Sequence, residues 1–200
     1  MWLSVQLALV TTLVLVLIGT PIAWWLSQTK LKLKPAVQAI VAMPIVLPPT
    51  VLGFYLLIPP GPDGAIGSWG VQLTGSALTL SFTGLVVASG VYSRPLAVQP
   101  MQNACESLPR QHLERAWTLG ASRLDAFFSV AVPLSVRGFV SGIVLSFAHT
   151  LGEFGVVLMV GGNIPGETRV VSSAIYDHVE SLNYAAAHQM SLLLIGFAFV

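Results

Sequence analysis

Long apolar runs alternate with short polar stretches along this chain, and the runs are of bilayer length. A helix needs about 20 mainly apolar residues to cross a hydrocarbon core. Leu3–Leu26 meets that in one piece, with Trp24 and Trp25 where an aromatic belt sits. Further spans are predicted over 36–58, which contains Pro44, Pro48 and Pro49, over 77–96, over 133–151, and over 185–200. From Ala185 too few residues remain to cross at about 1.5 Å per residue, so the last span is expected to be incomplete. The apolar piece 152–163 is too short to span, leaving a re-entrant half-depth helix or a sixth crossing. The pattern predicts an all-α integral membrane protein, a single transmembrane domain over 1–200 with about five spanning helices.

Composition agrees. Hydrophobic residues make up 54% and charged residues 8% of the chain, against roughly 25% charged in soluble domains. A net charge of +1 gives no footprint for nucleic acid. Cys105 is the sole cysteine, which excludes an internal disulfide or a cysteine metal cluster. His112, His149, His178 and His188 lack metal-ligand spacing, and no cofactor or metal is expected. His149 has Ser141 two turns away on its own helix, too distant for a catalytic pair. The first apolar run lacks a basic leader and is followed by Lys30, Lys32 and Lys34, so it reads as a retained helix.

Basic residues set the orientation. Lys30, Lys32, Lys34, Arg94, Arg110, Arg115, Arg123 and Arg137 fall in or beside the loops after spans one and three, whereas 59–76 has no lysine or arginine. The positive-inside rule then places both basic loops in the cytoplasm, the N-terminus outside and the end of a five-span chain inside.

The loop 99–132 is the most informative stretch. Pro109 suits the first position of a helix, where a missing N–H costs nothing. Leu113, Ala116, Trp117 and Gly120 recur at helical spacing on one apolar face, with Gln111, His112, Glu114, Arg115 and Thr118 on the other. Gly120 suits a left-handed stop after Leu119, and Ser122 can cap a second helix leading to Pro133. Two short amphipathic helices meeting at a glycine are expected at the membrane surface.

The run Glu114-Arg115-Ala116-Trp117-Thr118-Leu119-Gly120, nine residues, then Val130-Ala131-Val132-Pro133 resembles the coupling loop of type I ABC importer permeases. That pattern is Glu-Ala-Ala, three residues, Gly, nine residues, then Ile-x-Leu-Pro. Glu114, Ala116, Gly120 and Pro133 stand at matching spacing; Arg115, Val130 and Val132 depart from it. The resemblance implies a helix seated in a groove of an ATPase subunit, with Glu114, Arg115, Ala116, Trp117, Leu119, Gly120 and Pro133 forming the coupling element. It further implies a homodimer in the bacterial inner membrane, two cytoplasmic ATP-binding subunits, a periplasmic oxyanion-binding protein, and no catalysis by this chain. No Walker loop occurs in the sequence, so under this reading energy arrives from a partner.

Leu151-Gly152-Glu153-Phe154-Gly155, Gly162–Arg169 and Leu47–Gly53 are similar to the corresponding stretches of molybdate and sulfate permeases, the molybdate branch more closely. That implies molybdate as the cargo, with tungstate as a chemical near-twin and sulfate or thiosulfate as the alternative. For the path, four residues are candidates. Pro48 and Pro49 would break the second span and free backbone groups. Glu153 is a carboxylate near membrane depth, open to an exposed or capping role as well as to gating. Arg169 can pair with an oxyanion or with neighbouring Glu167. A secondary transporter would call for inverted repeats and mid-membrane ionisable pairs, and an intramembrane enzyme for a nucleophile and base in register; neither pattern is seen.

Overall fold

The computed structural model describes residues 1–58 and 79–198, and the regular elements among them are all helical. The predicted outer loop 59–76, the first two residues of the third predicted span and the last two of the fifth lie outside the described residues.

Helix α1 (Trp2–Gln28) is the one described helix long and apolar enough to cross a membrane unaided. It packs along α4 (Phe82–Glu106) in the same direction: Leu7 meets Leu85 at one end, and Ala23 and Leu26 meet Val98 and Met101 at the other. Parallel neighbours need a return path, and α2 (Lys34–Val46) with α3 (Pro49–Leu57) provides it, running antiparallel to α4 from Lys34 beside Glu106 to Leu52 beside Ala88.

That return is a broken span over 36–58, with the break where Pro48 and Pro49 stand. It bends by 105° between α2 and α3. Leu47, preceding a proline, is extended (φ −74°, ψ 140°), and the pair Pro48-Pro49 offers no backbone N–H to carry the helix across. Pro44, by contrast, stays inside α2.

The third predicted span also differs. Its helix begins at Phe82 and continues to Glu106, ten residues past the predicted end at 96, through Pro95 and Pro100. Ala97, Val98 and Met101 are fully buried there, and that burial outweighs the two missing backbone bonds. The loop expected from residue 99 is therefore helical in its first part.

Helix α5 (Arg110–Thr118) follows, then α6 (Arg123–Leu134), whose middle, Phe127–Ala131, is wound as a π-turn. The expected span 133–151 starts later, as α7 (Val136–Gly152), after a 76° bend at Ser135. Helix α7 lies tightly against α4: a Cβ on Gly138 would stand 2.2 Å from that of Ala104. The bent pairs α2–α3 and α6–α7 reach membrane-spanning length and apolarity only if each counts as one span.

The short apolar piece is α8 (Gly155–Gly161), packed on α3 and α4 and stopped by left-handed Gly162. Two more helices, α9 (Val171–Glu180) and α10 (Tyr184–Ala198), pack on each other. Helix α9 lies between the predicted spans 133–151 and 185–200.

Candidate functional site

The platform made by α5 and α6 is built by local rules. Leu113 on α5 is buried with Ala126, Phe127 and Ala131 of α6, and Ala116, Leu108 and Val130 close over them. Trp24 of α1 packs at a tilt against Phe127 with ring centroids 5.0 Å apart, tying the platform to the first helix. Gly120 has φ +88°, donates to the Trp117 carbonyl, and is followed by Ala121 donating to Ala116. That bond pair is a Schellman stop, which a side chain at Gly120 would strain. Two residues on, Ser122 and Asp125 cap α6 reciprocally. The Ser122 hydroxyl and then its backbone N–H hold the Asp125 carboxyl below the ordinary carboxylate range.

The predicted apolar face of α5 is divided. Leu113 and Ala116 turn inward, whereas Trp117 and Gly120 join Glu114, Arg115 and Leu119 at the surface. Leu119 is 88% exposed, and Leu124 and Phe128 of α6 extend the same apolar exposure. The result is a surface with an apolar centre and the Glu114 and Arg115 charges on the same short helix. Pro133 lies exposed in the last turn of α6, between the π-turn and the bend at Ser135. It cannot donate to the carbonyl of the preceding turn, which is one reason that segment does not continue straight into α7.

The candidates for a path gather elsewhere. The break at Pro48-Pro49 and the break between α7 and α8 pack directly on each other: a Cβ on Gly155 would stand 2.7 Å from that of Pro49. Glu153 lies in the second break. It is 5% exposed, and neither carboxylate oxygen has a hydrogen-bond partner among the described residues. The Ser89 hydroxyl faces it without closing a bond of normal geometry, while its backbone carbonyl accepts from Ser172 Oγ at 2.6 Å. The exposed or capping role considered for Glu153 is thus replaced by burial.

Arg169 is not brought to Glu153, nor does it pair with Glu167 as sequence proximity suggested. Its guanidinium meets Asp177 at 3.3 Å, across to α9, and Asn163 Nδ2 donates to both Asp177 oxygens. His149 likewise has a partner that sequence proximity did not indicate: Ser93 Oγ on α4, 2.9 Å away and bridged onward to Thr150. Arg94, read as bordering a cytoplasmic loop, sits midway along α4. The predicted span ends at 96, two residues past Arg94, whereas the helix continues to Glu106.

The fold is that of an ABC importer permease. The chain superposes on a subunit of the MetNI methionine ABC transporter in an inward-facing conformation with a TM-score of 0.73, covering 99% of this chain and 87% of that one at 17% identity. It superposes on a chain of a bacterial ABC transporter that imports alginate with a TM-score of 0.74, covering 98% and 74% at 16% identity. Residues 8–200 match the family model of the binding-protein-dependent transport system inner membrane component, and the chain belongs to that family. The molybdenum transport system permease protein of Azotobacter vinelandii is 53% identical over 99% of this chain and 88% of its own length. That of Escherichia coli K12 is 34% identical, over 100% of this chain and 89% of its own. The chain is therefore a permease subunit of an ABC importer, an all-α membrane component.

Proposed function

We propose that this chain carries molybdate, and tungstate with it, through the bacterial inner membrane, driven by ATP that partner subunits hydrolyse. The observation that carries the substrate is the 53% identity, over 99% of this chain, to a protein named as a molybdenum permease. The geometry of α5 supports the coupling half. A short helix ended by a Schellman stop and followed at once by a capped helix packed on it suits movement as a unit, and the exposed Trp117, Leu119, Glu114 and Arg115 suit a groove with one charge-assisted contact.

Under this reading the platform faces the cytoplasm, the N-terminus lies outside, and the chain crosses about five times. Two copies pair around the path, each docking one ATP-binding subunit through Pro109–Gly120, while a periplasmic oxyanion-binding protein delivers the anion to the outer side. ATP binding draws the two platforms together and opens the path outward. The adjoining breaks at Pro48-Pro49 and Glu153 are the points where the helices give. Arg169, held by Asp177, faces the delivering protein.

The test is uptake of labelled molybdate by cells with and without the intact gene, with and without excess sulfate. Gene-dependent uptake that sulfate leaves alone is expected. Suppression by sulfate would move the chain to sulfate transport, and absence of gene-dependent uptake would overturn the oxyanion reading.

A further inference from the structure

Midway along α4 the fold leaves a cation without an anion. Arg94 is rooted about 18 Å of helix short of Glu106, and its guanidinium reaches toward that platform end. One terminal nitrogen donates to the Ile40 carbonyl of α2 at 3.0 Å. Helix α2 runs beside α4 with Lys34 on Glu106 and Ala42 in the same cavity wall as Gln99. Ile40 therefore stands only about 9 Å of helix from the Lys34–Glu106 pair. A long stem stretched toward water is how a cation rooted in hydrocarbon behaves, and such residues are costly unless they serve a function. Nε is buried without a hydrogen bond, and the ion pairs among the described residues are Lys34–Glu106 and Arg169–Asp177.

Arg94 also borders a groove of about 260 Å³ between α1 and α4. Val14, Ile18 and Ile22 wall one side of it, Val87 and Gly90 the other, and Arg94 is its one charged residue. Ile18 and Val87 are exposed on its rim, so it opens outward, where a chain in a bilayer meets hydrocarbon. Gly90 makes part of the space: a Cβ there would meet nothing within 4 Å.

The walls match an acyl chain lying along the helices, and the charged end matches a phosphate, which a planar fork of N–H donors binds well. A second copy of this chain can cover apolar walls but is short of an anion. Outside the platform, the described carboxylates on α1 to α8 are Glu106, held by Lys34, and Glu153, buried. Neither is free to reach a second copy's Arg94. A phospholipid with a net negative headgroup supplies both halves, whereas a zwitterionic one carries its own competing cation. We propose that the groove between α1 and α4 holds an acyl chain of an anionic phospholipid from the leaflet on the platform side, with its phosphate on Arg94. Basic pockets between spanning helices bind lipid headgroups in this way. The inference rests on the membrane fold and is independent of the cargo.

The test uses the transporter complex purified through this chain, stripped of lipid in detergent, then titrated with phosphatidylglycerol or phosphatidylcholine of identical chains. Native mass spectrometry reads the bound lipid. Wild type is expected to bind phosphatidylglycerol about tenfold more tightly, the size of one hydrogen bond to a charged group. Arg94→Gln is expected to erase that preference and leave the weaker phosphatidylcholine binding in place. Gly90→Leu fills the groove without displacing a neighbour and is expected to weaken both lipids about tenfold. Equal binding of the two lipids by wild type overturns the inference, as does a preference that survives Arg94→Gln. Unaltered lipid binding in Gly90→Leu also overturns it, and a change of subunit number in that variant would mark the groove as an interface between copies. Displacement of phosphatidylglycerol by inorganic molybdate would mark Arg94 as a free-anion site instead.

Discussion

The α5–α6 platform and the junction of the two helix breaks are built on opposite principles. In the platform every local preference agrees with the fold: a cap begins α6, a glycine ends α5, and one small apolar cluster joins them. At the junction distant segments meet, and polar burial opposes apolar packing. Two prolines bend one helix pair by 105°, a carboxylate is buried without a partner among the described residues, and a glycine admits a proline ring at close range. Consistency across levels makes a rigid body. Conflict concentrated in one place is the usual mark of a functional site. A machine that converts a push at one surface into an opening at another needs one of each.

The largest expected effect is at the junction. In Gly155→Val the new side chain has a proline ring and its backbone for neighbours, with no flexible tip to yield, so a loss of about 3 kcal/mol is expected from overpacking. A lowered thermal midpoint of the purified chain in detergent would show it. An unaltered midpoint would mean that the two breaks separate freely.

Glu153→Leu should move stability the other way, by about 2 kcal/mol, because it removes an unsatisfied buried polar group. Transport should fall at the same time. A drop in the thermal midpoint instead would show that the carboxylate holds the junction together.

The platform should respond more mildly and in a different quantity. Nothing lies within 4 Å of a Cβ built on Gly120, so Gly120→Val meets only its own backbone strain, about 1 to 2 kcal/mol for a side chain forced left-handed. Hydrogen exchange should speed up over Arg110–Thr118 and leave α7 unchanged. Equal exchange in both helices would contradict the division into two regions.

The smallest effect belongs to the Lys34–Glu106 pair, which is partly exposed and therefore contributes less than about 1 kcal/mol. Burial alone would push the Glu106 carboxyl up, but Lys34 and Gln102 together hold it below its ordinary value. A carboxyl lowered by folding stabilises fully above its unfolded pKa and loses that contribution as pH falls through the lowered value. The gap between wild type and Lys34→Ala is therefore expected to be constant near neutrality and to close in acid. A gap that widened in acid would reverse the assignment.

How much was legible in the sequence follows the same division. Around Gly120 and Ser122 the bonds are local, within three to five residues, so capping residues and helical spacing announced the stop and the restart. The junction depends on contacts between distant segments. Pro48-Pro49 advertised a break, but not that Gly155 would receive it. Glu153 could be noticed as a charge in an apolar setting, yet its burial is decided by α4 and α9, which sequence spacing does not bring near. Arg169 shows the limit of proximity: Glu167 is two residues away, but an adjacent helix presents Asp177. The span expected to end at 96 runs on to Glu106 for another reason: the buried face of α4 carries the helix through Pro95 and Pro100.

The most direct test of the account is to reconstitute the complex of this chain with its ATP-binding subunits and binding protein, and to measure labelled molybdate uptake against ATP hydrolysed, for wild type and Glu114→Ala. ATP-dependent uptake is expected in wild type, and in Glu114→Ala a chain that still assembles in the membrane but moves far less anion per ATP. Uptake by Glu114→Ala at the wild-type ratio would contradict the claim that the platform couples ATP hydrolysis to the path.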